Sequence, residues 1–102
     1  MWRPETLDTG EVEIPSNLTG LVEIIAEEAH AVWGRRRIGQ GWRYGTEVDH
    51  VRRTHPMLVA YPELPEEAKD DDRELVRHAI RVLLSMGYTI VPADVAAEPT
   101  AP

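Results

Sequence analysis

The sequence predicts a helix-rich α+β fold in a single domain. Two stretches place apolar residues at helical spacing, and the segments around them carry short apolar or alternating runs between prolines and glycines. A chain of 102 residues suits one domain with one modest core. Phenylalanine is absent and the few aromatic residues are clustered, so their positions are informative.

Residues 2–15 are predicted to form an extended arm laid over the core. Val12 and Ile14 alternate with glutamates, as in a short strand, and Trp2 and Leu7 offer further apolar anchors. A frayed N-terminus is the alternative, because terminal segments are loose unless they are anchored.

The first main helix is predicted from about residue 18 to residue 37, with Ser16 or Asn17 as its N-cap. The predicted core-facing positions are Leu18, Leu21, Val22, Ile25, Ala29 and Val32. A second stripe borders that apolar face and contains His30, Trp33 and Arg37. The ring of Trp33 should therefore face partly the core and partly the outside.

Gly39 and Gly41 are predicted to end this helix. In the extended piece that follows, alternation would place Trp42 and Tyr44 on one face and Arg43 on the other. A polar loop is expected at 46–54, and a short apolar strand or extended segment at 55–61.

The second main helix is predicted from about residue 65 to residue 86, between Pro65 and Gly87. Its predicted buried face consists of Leu75, Val76, Ala79, Ile80, Val82, Leu83 and Met86. An outer row of arginines beside acidic residues is interpreted as a solvated face. A short strand is expected at 88–91, and residues 92–102 have the composition of a disordered tail or linker.

Composition and charge argue against several classes of function. The net charge of −7 disfavours a nucleic-acid polymer as partner, because phosphate neutralisation needs a basic surface. The absence of cysteine excludes disulfides and thiolate chemistry and fits a reducing compartment. No apolar run has the length of a membrane span, so we expect a soluble, cytoplasmic protein without a membrane partner.

The stretch 30–45 is the best candidate site, because it holds two of the three tryptophans together with four arginines. Aromatic rings can stack a planar ligand, and guanidinium groups can bind an anion. The candidate ligand-binding residues are His30, Trp33, Arg36, Arg37, Trp42, Arg43 and Tyr44. In the alternative interpretation, both tryptophans are core residues that close a small domain.

We predict no catalytic residues, no metal site and no cofactor. His50, His55 and Asp49 lack the spacing of zinc ligands, and the run at 70–72 lacks the pattern of a calcium loop. No acid–base pair is predicted to converge, so we expect a protein that is not an enzyme. His30 can bind either a ligand or a nearby carbonyl, and His55 either a ligand or its own loop.

Several short motifs, in this order, resemble the RyR domain, the repeat of ryanodine receptor channels that also occurs alone or fused in bacteria and phages. The resemblance covers about residues 2–91 as one domain. Its motifs are Asp8-Thr9 with Val12 and Ile14-Pro15, His30-x-Val32-Trp33, Arg37-Ile38, Gly41-Trp42-x-Tyr44-Gly45, His55-Pro56-x-Leu58-Val59 with Tyr61, Leu64-Pro65-Glu66 with Lys69 and Asp72-Arg73, and Gly87-Tyr88. The sequence departs from the family at 46–50, where Arg-Asp-Asp is usual, and at Ala60, where proline is usual.

The resemblance implies a compact α+β module of the stand-alone bacterial or phage type that recognises a ligand. Its expected partner is a small, nucleotide-like anionic aromatic molecule, bound near the tryptophan of the His30-x-x-Trp33 motif and reported to other proteins. Because the channel repeats form pseudo-twofold pairs, a lone copy could also form a homodimer. The alternative function is therefore protein–protein interaction or homodimerisation through the same aromatic corner.

Overall fold

The computed structural model describes residues 1–93, which form two α-helices and one small sheet. The elements are α1 (Thr19–Gly39), β1 (Arg43–Tyr44), β2 (Thr54–His55) and α2 (Glu66–Ser85), with 3-10 turns at Ser16–Leu18 and Tyr61–Glu63. The predicted helix-rich α+β class is confirmed. The predicted tail lies, from residue 94 onward, outside the described residues.

The two helices pack against each other in antiparallel orientation. Thr19 near the start of α1 lies in one cleft with Arg81 near the end of α2, and Trp33 near the end of α1 shares another cleft with Asp71 near the start of α2. The core lies between them and is closed by the 3-10 turn at Tyr61–Glu63. Its buried residues are Leu18, Val22, Ala26, Tyr61, Leu64, Val76 and Ile80.

The helix boundaries follow the predicted ones closely, but the start of α1 differs. Residues 16–18 form a 3-10 turn, and among the described residues no side chain caps the first turn of α1, whose N-cap is Leu18. The predicted cap at Ser16 or Asn17 is therefore wrong. Both helices end before a glycine with a left-handed backbone, Gly41 at φ 92° and Gly87 at φ 95°, a conformation that costs glycine little.

The extended segments are shorter than predicted. The parallel sheet pairs Arg43 with Thr54 and Tyr44 with His55, so the predicted strand at 55–61 contributes only its first residue. The remainder bends into the 3-10 turn, since Pro56 and Pro62 have no backbone N–H to donate to a ladder. Residues 88–91 form no strand, because no neighbouring strand in the described chain pairs with them.

The N-terminal arm is anchored at its C-terminal half. Thr9 is buried and its carbonyl accepts a hydrogen bond from the N–H of Val12 at 3.0 Å. Ile14 packs against the core. Trp2 and Leu7 are exposed, so these two expected anchors do not hold the arm.

Only about half of each predicted apolar helix face is buried. Val22 on α1 and Val76 and Ile80 on α2 reach the core, whereas other positions of both faces are exposed. The exposed members are Leu21, Ile25, Val32, Leu75, Ala79, Leu83 and Met86. The two helices and the loops that pack on them provide too little surface to bury the whole apolar face of each helix.

Neither α1 nor α2, nor any other helix formed by residues 1–93, has the length and apolar character needed to cross a membrane.

Candidate functional site

Trp33 lies at the centre of a cluster of aromatic rings at the C-terminal end of α1. Its ring is half-buried and stacks on His30, one turn earlier, with centroids 5.6 Å apart. The ring of His55, on β2, packs edge-on against the Trp33 ring, with the two ring centroids 5.0 Å apart. The helix and the sheet together therefore hold the indole in one orientation.

His30 is fixed by the segment that follows β2. Its Nε2 lies 2.7 Å from the carbonyl oxygen of Val59. Because a carbonyl only accepts hydrogen bonds, Nε2 carries the proton and donates it. His30 thus binds a nearby carbonyl, one of the two roles that the sequence predicts for it.

His55 fixes its own loop as well as Trp33. The N–H of Met57 donates to Nδ1 of His55 at 3.1 Å, so this nitrogen is unprotonated. Burial lowers the pKa of His55, and the positive charges of Arg37 and His50 lower it further. His55 is therefore held in its neutral form.

Trp42 forms the outer part of the cluster. The guanidinium carbon of Arg37 lies 5.4 Å from the centre of the Trp42 ring, within the range of a cation–π contact. The ring of His50 packs edge-on against the Trp42 ring, with centroids 5.4 Å apart, and the centroid of the His55 ring lies 6.3 Å from that of Trp42. Arg37 is thus held against an aromatic ring rather than extended into solvent.

The loop that carries His50 and His55 is tied to the end of α1. Arg53, with φ 57°, donates from Nη1 to the carbonyl of Gln40 at 2.7 Å. Gly45 crosses Thr54 so closely that an added Cβ would lie 2.9 Å from both Cγ2 and Oγ1 of Thr54. This close crossing brings the two short strands, and with them His55, beside Trp33.

A cleft of about 390 Å³ opens beside Trp33, between the two helices and the loop after β2. Its walls are mostly apolar, and its rim carries Asp71 and Asp72. The lining residues are Ala29, His30, Trp33, His55, Met57, Leu64, Ala68, Asp71, Asp72 and Leu75. A second cleft, of about 610 Å³, lies on the other side of His30, against residues 58–62.

A family model describing the RyR domain matches residues 2–92. The chain belongs to the RyR domain family. The match spans every element from the N-terminal arm to the end of α2, and so includes the Trp33 cleft.

The RyR domain brings together only part of the predicted site. His30 and Trp33 line the Trp33 cleft, while Arg37 and Trp42 pair with each other beyond His55. Arg43 and Tyr44 on β1 are exposed. Arg36 is also exposed, on another side of α1 from Arg37.

The cleft also contains residues that the sequence interpretation did not select. The sequence predicts Met57 in a strand or extended segment, Leu75 on a buried helix face, and Asp71 and Asp72 in a solvated acidic run. Their contribution depends on the packing of α2 on α1, which helical spacing does not reveal. His55 both fixes its loop, through the Met57 N–H, and lines the cleft.

A network of ion pairs locks the helices together away from the cleft. Arg73 donates to Glu23 across the helix interface at 2.6 and 3.0 Å, and to Glu66 and Asp70 at 2.7 Å each. These bonds raise the pKa of Arg73, and the Arg73 bond lowers the pKa of Glu23. The buried Tyr61 lies nearby, and burial raises the pKa of its hydroxyl. The network is structural.

Across residues 1–93, no group of three or more histidine, aspartate or glutamate side chains converges as metal ligands would. The carboxylates that are drawn together elsewhere serve Arg73, and Asp49 accepts hydrogen bonds from the backbone of Val51 and Arg52. The backbone hydrogen bond from Arg52 lowers the pKa of Asp49 most, and the bond from Val51 lowers it further.

Proposed function

We propose that this RyR domain is a non-enzymatic module that binds a small, planar, anionic ligand of the nucleotide type and reports it to other proteins. The observation that supports it is the Trp33 cleft, in which a half-buried indole is held by His30 and His55 beside an apolar cavity. Stacking of a base on an aromatic ring contributes about 1–3 kcal/mol. Because the rings are already fixed, little ordering cost opposes binding.

The charges around Trp33 favour a ligand that has a base with hydrogen-bond donors at one end and an anionic group at the other. The carboxylates of Asp71 and Asp72, which line the cleft, can accept hydrogen bonds from the amino group of a base. Arg36 and Arg37 near the end of α1 and Arg43 on β1 supply positive charge. In this proposal the base enters the cleft and the anionic group points toward the arginines.

Thermal shift and calorimetry with a panel of mononucleotides, cyclic nucleotides and dinucleotides test whether the chain binds such a ligand. We expect at least one to stabilise the wild-type chain and to lose that effect in Trp33→Ala and in Arg37→Ala. Trp2→Ala and Arg52→Ala, at exposed positions away from the cleft, should respond like the wild type. If no member of the panel binds, the nucleotide proposal is wrong.

A variant in which Trp33 is the sole tryptophan gives an independent signal. In the double variant Trp2→Phe, Trp42→Phe, all tryptophan fluorescence comes from Trp33. A base stacked on the indole of Trp33 should quench this fluorescence. Binding without quenching would place the ligand elsewhere.

The second candidate function is protein–protein interaction or self-association through the same aromatic corner. The exposed ring of Tyr44 favours it, because Tyr, Trp and Arg are common anchors of interfaces. A nucleotide panel without response, together with dissociation of a complex by Trp33→Ala, would support this function instead. A module of either kind needs no catalytic group.

A further inference from the structure

The N-terminal arm lies across α1 and α2 and encloses a cleft of about 720 Å³ with them, which we name the arginine cleft. Residues 9–14 of the arm line it, together with Arg73, Arg77 and Arg81 of α2. The sequence predicts a solvated face for these arginines, yet their side chains are only 17%, 38% and 30% exposed. The arginine cleft and the Trp33 cleft have no lining residue in common.

Arg77 and Arg81 keep the hydrogen-bonding capacity that Arg73 has used. Arg73 donates four hydrogen bonds to carboxylates. Arg77 and Arg81 each form one ion pair, through Nη1 to Glu74 at 3.7 and 3.9 Å, and neither donates a hydrogen bond within residues 1–93. Because a guanidinium carries five N–H donors, both arginines can bind an anion in the cleft without disturbing the Arg73 network.

Thr9 brings a further unused polar group to the arginine cleft, from the arm. It is 7% exposed, yet its hydroxyl has no hydrogen-bond partner in the described part of the chain. A buried hydroxyl without a partner costs free energy. The turn at 9–12, closed by the hydrogen bond from the Val12 N–H to the Thr9 carbonyl, fixes this position. A ligand in the cleft can therefore accept a hydrogen bond from the Thr9 hydroxyl.

We propose that the arginine cleft binds a phosphate group. Two guanidinium groups one helical turn apart, with a hydroxyl on the arm, offer donors from different directions. The oxygens of phosphate are arranged tetrahedrally and can accept from all of them, whereas the two oxygens of a carboxylate lie in one plane and suit a single guanidinium fork. The cleft is larger than a phosphate ion and has the size of a ligand site, so a small phosphorylated molecule fits beside Val12, Ile14 and Val22.

Glu13 limits the negative charge that the arginine cleft can hold. It lines the cleft and forms no ion pair with any residue from 1 to 93. The Arg73 and Glu23 charges neutralise each other, so two arginines and one glutamate leave a single net positive charge. We therefore expect inorganic phosphate alone to bind with a dissociation constant in the millimolar range.

The test is a nuclear magnetic resonance titration of the isotope-labelled full chain at constant ionic strength and without nucleotide. Inorganic phosphate and glycerol 3-phosphate should each cause saturable shifts of the backbone amides of Thr9 and Gly10 and of the Nε–H groups of Arg77 and Arg81. Acetate should bind much more weakly. A phosphomonoester that binds more tightly than inorganic phosphate supports a phosphorylated molecule as ligand, and the reverse order assigns the site to the free ion.

Replacing the arginines tests their contribution. Arg77→Gln and Arg81→Gln should each weaken phosphate binding about tenfold or more, because charge-assisted hydrogen bonds are lost. Arg52→Gln removes the same charge at an exposed loop position and should leave binding unchanged.

Variants of the arm separate a built site from general attraction between charges. Glu13→Gln removes the negative charge from the cleft and should tighten binding, whereas Glu11→Gln, at an exposed arm position outside the cleft, should not. Thr9→Val removes the hydroxyl with little change of shape and should weaken binding, and Thr9→Ser should retain it. Circular dichroism should show the same helix content in every variant.

Three results would overturn the proposal: phosphate that leaves the Thr9 and Gly10 amides unshifted, acetate that binds as tightly as phosphate, or equal losses in Arg52→Gln and Arg77→Gln. Phosphate binding should persist in Trp33→Ala, because neither probe carries a base and Trp33 lies in the other cleft. Loss of binding in that variant would also contradict a separate site. Failure of the nucleotide panel would leave the proposal standing.

Discussion

The side chains around Trp33 show how a few buried contacts prepare a binding surface. His30 donates to the backbone of Val59, and His55 accepts from the backbone of Met57. Each histidine therefore uses one ring nitrogen to hold the loop and its ring face or edge to hold the indole. The sequence indicated both possibilities for each residue, but only the packed structure shows which nitrogen meets which backbone group.

The lowered pKa of His55 predicts a pH dependence of folding. In the unfolded chain a histidine titrates near pH 6.5, whereas burial and the nearby Arg37 and His50 keep folded His55 neutral to lower pH. The unfolded state thus binds the proton first as the pH falls. This contribution to stability is complete above about pH 6.5 and is lost as the pH falls through the pKa of the folded state.

Urea unfolding at several pH values between 7 and 5 checks the prediction, with wild type and His55→Asn compared. Asparagine can still accept the Met57 N–H bond but does not titrate in this range, so the variant should lose less stability on acidification. Equal losses in the two proteins would assign the pH dependence to other groups.

At the scale of elements, the helices were predictable and the sheet was not. Predicted helices at 18–37 and 65–86 correspond to Thr19–Gly39 and Glu66–Ser85, because apolar periodicity and glycine stops are local signals. The strands are two residues each and pair across the nine-residue loop at 45–53. Strands of two residues are too short to show an alternating hydrophobic pattern in the sequence. They pair because the chain packs Gly45 closely against Thr54.

Gly45→Ala tests this crossing. The new Cβ would overlap the Thr54 side chain, and relieving the overlap means moving the strand that carries His55. We expect a destabilisation of about 1–3 kcal/mol in urea unfolding, typical of overpacking.

Gly39→Ala is the matched control, because an added Cβ there meets no atom within 4 Å and the residue is helical. Replacing this helical glycine should leave stability unchanged or raise it by up to about 1 kcal/mol. Similar losses for both variants would show that the Gly45 crossing is not tight.

At the scale of the whole molecule, the limited core determines what remains exposed. Two helices, a short sheet and an arm cover one face of each helix and leave apolar residues such as Ile25, Leu75 and Met86 exposed. The periodicity of α2 marks Ile80 and Leu83 alike as apolar positions, yet Ile80 is buried and Leu83 is exposed. Their contributions to the stability of one chain should therefore differ.

Ile80→Ala should cost about 2–4 kcal/mol of unfolding free energy, because it leaves a cavity in the core. Leu83→Ala should cost less than about 1 kcal/mol, since exposed positions have few contacts to lose. Chemical denaturation of the two variants and the wild type measures both costs.

The sequence by itself determined the two helices, the glycines that end them, the cluster of aromatic residues near residue 33 and the membership of the RyR domain family. These features depend on local propensity, periodicity and short motifs, which can be read from the sequence without knowledge of the tertiary packing. Tertiary structure alone decided that His55, Met57, Asp71 and Asp72 line the Trp33 cleft, and that half of each apolar face stays outside. The physical reason is that burial depends on which elements pack together, and one helical period is compatible with several packings.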